Sequence, residues 1–186
     1  MSSRLGPVSS RSAVVVLLVG PQASGKSTVA SALSDEMRRQ GELVALVELD
    51  QIAAMALPTL PGWDHAARIF GLVAGEWART ELTCVIAEGI SSQAEVSNFV
   101  AYVPEAAVLV TVAVTTSFDD ALARAQADPS RGVSRDPGLL RARYGEWSRE
   151  MPRIDADVLL DTSEVPVERA VRLIAEAIRT ASPKPA

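Results

Sequence analysis

A three-layer α/β/α fold built on a five-stranded parallel sheet is what this sequence predicts, on three observations. Apolar, β-branched runs recur at 13–19, 43–49, 83–87, 107–114 and 157–160. Such runs, lacking polar alternation, suit strands buried on both faces. Segments of helical spacing separate them, so the strands should pair in parallel through crossover helices, with layers on both sides of the sheet. The first run, finally, ends in a glycine-containing turn that leads straight into a helix, which places a ligand site at the carboxyl ends of the strands.

Taken in order, the run 13–19 is followed by Gly20-Pro21-Gln22-Ala23-Ser24-Gly25-Lys26-Ser27, a complete G-x-x-x-x-G-K-[ST] phosphate-binding loop. Lys26 stands out because the chain has 16 Arg and two Lys, the other being Lys184. Residues 28–39 carry apolar side chains at Val29, Ala32, Leu33 and Met37 and stop at Gly41, a helix with a terminator. At its start, free backbone N–H groups and the helix dipole suit an anion. Gly20, Gln22, Ala23, Ser24, Gly25, Lys26, Ser27 and Thr28 are thus candidate nucleotide-binding residues. Lys26 is expected in an exposed loop, reaching the β- and γ-phosphates, and Ser27 is expected to help hold Mg²⁺.

The residues that follow the later strands should border the same ligand. After the second run comes Asp50, a candidate to accept a proton from an acceptor hydroxyl, or else a cap for the next helix. Glu88 follows the third run, where an acid can hold a Mg²⁺-bound water. Between them, Trp63, His65 and Arg68 are candidates to line an acceptor pocket, and Ile69, Phe70, Val73 and Trp77 have the spacing of a buried helix face. Ser92-Gln93-Ala94-Glu95 and Ser117-Phe118-Asp119-Asp120 read as capped helix starts, and Asp136-Pro137 and Pro166 mark two more. Arg131 and Arg135 lie in a proline-bounded loop at about 128–136, a candidate lid over the phosphates. Arg124 is a candidate to stack on the adenine, with an ion pair on the helix surface as the alternative.

Composition bounds the rest. The chain has 186 residues, 48% of them hydrophobic, which suits one domain at 13–181 between short tails at 1–12 and 182–186 that are rich in Ser and Pro. A net charge of −5 and a pI near 5.0 give no overall pull towards nucleic acid or anionic membrane. One cysteine, Cys84, cannot pair within the chain, and it sits among apolar residues. Arg4 and Arg11 before an apolar run mimic a secretory signal, but cleavage there would destroy the phosphate loop, and the expectation is a soluble cytoplasmic protein.

These residues resemble the P-loop kinases of small molecules, in the neighbourhood of chloramphenicol phosphotransferase, shikimate kinase and the zeta-toxin kinases. The resemblance runs from the 20–28 loop through Leu49-Asp50 and Arg124, Arg131 and Arg135 to Leu160-Asp161-Thr162-Ser163. It implies a P-loop NTPase fold with a short lid, ATP and Mg²⁺ as cofactors, and Asp50 as acceptor base. It also implies an adenine pocket between Arg124 and the loop containing Thr162. The glycine-rich acceptor motif of shikimate kinases is not reproduced in Glu88-Gly89-Ile90-Ser91-Ser92, and neither N-K-x-D nor a D-E pair occurs where GTPases or AAA+ machines would need them. Open readings are a kinase acting on a hydroxyl of an antibiotic or metabolite, a nucleotide kinase, and an ATP-hydrolysing switch without acceptor. Whether Asp50 or Glu88 is the base stays open, as does the oligomeric state.

Overall fold

The computed structural model describes residues 12–181, so the predicted tails, Ser12 apart, lie outside the described residues. All five runs are strands: β1 (Val14–Val19), β2 (Val44–Glu48), β3 (Cys84–Ile90), β4 (Val108–Thr115) and β5 (Val158–Asp161). They form one parallel sheet in the order β2-β3-β1-β4-β5. From β1 the chain runs out to the edge at β2, returns to β3, then crosses to β4 and β5. The phosphate loop therefore leaves the central strand, with β3 on one side and β4 on the other.

Among the described residues seven α-helices complete the layers: α1 (Lys26–Arg39), α2 (Leu49–Ala54), α3 (Trp63–Trp77), α4 (Gln93–Val100), α5 (Phe118–Ala127), α6 (Pro137–Glu150) and α7 (Val167–Thr180). The predicted starts hold. Ser92 Oγ accepts from Glu95 N, Ser117 Oγ from Asp120 N, and Asp136 Oδ1 from Leu139 N at 2.7 Å, each satisfying a helix N–H that would otherwise lack a partner. The helix after the phosphate loop begins two residues earlier than the 28–39 spacing suggests, so Lys26 is its first residue rather than part of a loop.

Alternation along the strands separates two cores. Val15, Leu17 and Val19 of β1 join Val85 and Ala87 of β3, α3, α4 and Trp147 of α6 on one face. Val16 and Leu18 join Cys84 and Ile86, α1 and α7 on the other. At the end of β3 the register with β1 slips, because Leu18 opposes Glu88 while Val19 opposes Ile90. Gly89, at φ 129, is the extra residue of this bulge, and a Cβ there would stand 2.5 Å from Leu49 Cβ. The bulge reverses the alternation, so that Ile90 packs with Val85 and Ala87 and not with Ile86.

One expectation about α3 fails. Its core face is Ala66, Phe70, Gly71, Ala74 and Gly75. Phe70 is buried as expected, but Val73 is only partly so, and Ile69 and Trp77 are 42% and 46% exposed. The reason is close approach. A Cβ on Gly71 would meet the Tyr102 ring at 2.4 Å, and one on Gly75 the Tyr102 carbonyl at 2.4 Å, so the helix turns its small residues inward and its bulky ones out. Phe70 then stacks against Phe99 with ring centroids 5.2 Å apart.

Two truncations on this helix should differ accordingly. Phe70→Ala removes a ring from a fully packed site and should cost about 3–5 kcal/mol, whereas Ile69→Ala should cost about 1 kcal/mol or less. Chemical denaturation of both variants checks this. Equal losses would mean that Ile69 belongs to the core after all.

Candidate active site

The phosphate loop is held in shape by its own backbone. Gly20 N donates to Ile90 O at 3.0 Å, and a Cβ on Gly20 would lie 2.1 Å from the Val114 carbonyl oxygen, so only glycine fits between β3 and β4. Ala23 and Gly25 adopt the left-handed region, at φ 60 and 94. That conformation turns successive N–H groups towards one concavity at the start of α1. Gln22 and Thr28 are exposed beside it, while Ser24 is fully buried.

Lys26 corrects the expectation of an exposed lysine, for it is 9% exposed. Its Nζ donates to Pro21 O at 2.8 Å, across the loop it belongs to. Burial lowers its pKa, against the opposing pull of Glu88 and Asp50, and Arg131 pushes in the same direction as burial. Glu88 is the counterpart. It lies inside β3 rather than after it, is 4% exposed, and accepts from Ser27 Oγ through Oε1 at 2.8 Å. Burial raises its pKa, with Lys26 and the Ser27 hydrogen bond working the other way and Glu48 and Asp50 adding to it. For both groups, desolvation outweighs the attraction between them.

Other predicted residues divide into those the fold brings to this point and those it does not. Asp50 lies exposed in the first turn of α2, whose cap position is Glu48, so it is not the cap; its charge acts on both Lys26 and Glu88. Arg131 acts on Lys26 and also pairs with Asp128 at 3.3 Å. The segment predicted as the lid is a pair of 3-10 turns, Pro129–Arg135, broken at Gly132. Arg135 turns back and donates to Gln126 O at 3.4 Å, and no recorded contact among the described residues joins it to the phosphate loop. Arg124 is engaged by Thr162. It donates to Thr162 Oγ1 at 2.8 Å and to Thr162 O at 3.0 Å, and Thr162 Oγ1 in turn donates to Ser24 O at 2.7 Å. Arg124 and Thr162 are thereby fixed against the phosphate loop. Trp63, His65 and Arg68 are all exposed on the first turns of α3, and the ion pair recorded for His65 is with Asp64 at 3.9 Å.

Sequence reasoning missed two acids. Glu48 ends β2 in register with Glu88, and its signal was its place as the single charged residue inside the run 43–49. Glu95 was read only as a capping residue. It does hold Ser91 N and Ser92 Oγ at 2.9 Å each, yet its charge also acts on Lys26.

A hydroxyl and a buried carboxylate beside an anion cradle fit a magnesium ion that arrives with a nucleotide, since Mg²⁺ takes few protein ligands and keeps phosphate oxygens and waters. No group of three or more His, Cys, Asp or Glu among the described residues is arranged to hold a metal by itself. Among the described residues no helix is long and apolar enough to cross a membrane.

A family model described as an AAA domain matches residues 15–137, more than half of the chain. No curated protein matches. Among solved structures, the APS kinase of Mycobacterium tuberculosis, in complex with AMPPNP and APS, superposes with a TM-score of 0.68 at 15% identity, covering 90% of this chain and 98% of that one. A gluconokinase from Sinorhizobium meliloti 1021 gives 0.62 at 18%, covering 92% and 95%. Shikimate kinase from Acinetobacter baumannii, in complex with shikimate, gives 0.60 at 20%, covering 90% and 94%. At these identities the likeness shows the fold.

The Lys26–Glu88 relation has a pH signature. In Lys26→Ala the strongest opposition to the raised pKa of Glu88 is gone, so its carboxyl binds a proton more tightly still. The folded state then keeps a proton that the unfolded chain releases above about pH 4.3, and stability falls as pH rises past that value. Thermal melts from pH 4.5 to 8 should show the variant's deficit against wild type widening upward. A constant deficit would mean that Glu88 does not feel Lys26.

Proposed function

The chain belongs to the AAA domain family, and on that premise we propose that it is an ATP-dependent phosphotransferase that moves the γ-phosphate to a hydroxyl of a small molecule. The observation that carries this reading is the division of labour between two carboxylates at one phosphate loop. Glu88 is buried and engaged by Ser27, whereas Asp50 is exposed one strand further out and acts on the same lysine. Hydrolysis alone gives Asp50 no task.

In this reading the loop N–H groups and Lys26 hold the β- and γ-phosphates, and ion binding falls to Ser27 and Glu88. Mg²⁺, when bound, neutralises charge between the phosphates. Arg124 and Thr162 bound the adenine side. Asp50 orients the acceptor hydroxyl and takes its proton as the new O–P bond forms and the bond to the leaving β-phosphate oxygen breaks. Glu88 is a poor base for this step, because its Oε1 already accepts from Ser27 and the residue is sealed from solvent. Arg131 leaves Asp128 for the phosphates when the 129–135 turns close, which excludes water and keeps turnover low without an acceptor.

Acceptor-dependent ADP release tests the assignment. Lys26→Ala should lose at least tenfold in rate, about 1.4 kcal/mol or more of barrier. Asp50→Asn should lower kcat by on the order of 10² to 10⁴ while leaving ATP affinity nearly unchanged. Glu88→Gln should instead raise the Mg²⁺ concentration needed for half-maximal rate. If Asp50→Asn weakened ATP binding and kept kcat, Asp50 would belong to the nucleotide side. Rapid ATP turnover by wild type with no acceptor present would favour a hydrolytic switch.

A further inference from the structure

The cleft around the phosphate loop is acidic on the side of β3 and β2. On the β4 and β5 side Arg124 is tied to Thr162 and Arg131 is paired with Asp128. On the β3 and β2 side stand four carboxylates. Glu88 and Glu48 sit side by side in register, Asp50 opens α2, and Glu95 sits in the first turn of α4. Each of the four acts on Lys26 or on Glu88, and Arg131 is a cation that acts on Lys26 as well.

The polypeptide between β2 and β3 does little to offset this. Its cations are Arg68 and Arg79. Arg79 is committed to Glu76 and to Tyr102 O, both at 3.3 Å. Arg68 is exposed, and it lies two residues from both Ala66 and Phe70, which puts it on the side of α3 away from the core. Beside its polar residues this segment presents bulky apolar side chains to solvent: Met55, Leu57 and Trp63 are 80%, 62% and 58% exposed within 13 residues of Asp50.

We infer that the phosphate acceptor is an alcohol without negative charge, either neutral or bearing an ammonium group, with an apolar body, and that Glu48 sets this preference. The inference rests on the phosphotransfer reading and names its substrate class. A carboxylate, sulfate or phosphate on the acceptor would approach the acids Asp50 and Glu48, with Arg79 committed elsewhere and Arg68 on the outer side of α3, and the nucleotide phosphates would add to the repulsion. An ammonium group meets the opposite field, and Trp63 offers it an aromatic face. Since Glu48 is only partly buried and Asp50 is exposed, the discrimination should be sensitive to salt.

The test uses wild type and Glu48→Gln, ATP with Mg²⁺, and acceptors in matched sets that share a skeleton and differ in one end group. Gluconate, sorbitol and glucamine make one set, and para-(hydroxymethyl)benzoate, benzyl alcohol and para-(hydroxymethyl)benzylamine make another. In any set that releases ADP, kcat/KM for the carboxylate should be at least tenfold below that of its neutral and ammonium partners. The gap should narrow at high salt. Glu48→Gln should close it by threefold or more through KM for the anion, with ATP affinity unchanged. A carboxylate used as well as its neutral partner would overturn the inference and leave the kinase reading standing, as would discrimination untouched by Glu48→Gln. ADP release that no acceptor in any set raises above the rate with ATP alone would overturn the phosphotransfer reading, and the inference with it.

Discussion

Burying an ammonium group beside a carboxylate at the start of a helix is expensive, and the carboxyl edge of this sheet is organised around that expense. Lys26 and Glu88 are each displaced towards their neutral forms by burial, although each is the other's main opposing influence. The loop compensates from within: Pro21 O takes the ammonium and the Ser27 hydroxyl takes the carboxylate. Both partners are modest ones for a charged group. Phosphate oxygens would be far better for Lys26, and a divalent cation far better for Glu88. The protein alone is therefore short of one anion and one cation at adjacent points, which is the charge pattern of a metal-bound nucleoside triphosphate.

A small third core extends this arrangement to the neighbouring helices. Ala23, in its left-handed turn, packs with Ala121 and Ala125 of α5 and Leu140 of α6, the two helices that flank the 129–135 turns. Further along α6, Trp147 Nε1 donates to Thr115 Oγ1 at 3.2 Å and Glu150 accepts from Gln93 N at 3.0 Å. One helix thus touches the phosphate loop, the end of β4 and the start of α4. Helix α6 is thus anchored at Leu140 near its start and at Trp147 and Glu150 near its end.

Much of this was legible in the sequence where a residue's role is set by its immediate neighbours. The phosphate loop follows a spacing rule with a backbone cause, the strands are apolar because both faces are covered, and the caps at Ser92, Ser117 and Asp136 depend on residues three positions away. What could not be read depends on tertiary approach. The face that α3 buries is chosen by Tyr102 pressing on Gly71 and Gly75, so residue size pointed the wrong way for Ile69 and Trp77. Lys26 looks exposed in a sequence because glycine and serine surround it, whereas in the fold it is buried with its Nζ turned back to Pro21 O. Glu48 gained its relevance from pairing with a strand whose adjacency no local pattern announces.

The bulge at Gly89 bears on how this chain could change length. Between Glu88 and Ile90 the strand switches which core it feeds, with the acid left on the side of α1 and the isoleucine sent to the side of α3. Deleting that glycine would ask Ile90 to move into a layer already filled, or Glu88 to turn away from Ser27. Adding a residue would pose the same choice in reverse. Loops elsewhere on the surface can absorb insertions cheaply, but at this junction the reading frame of the strand is locked to the chemistry, so divergence here should proceed by exchange of side chains at constant length.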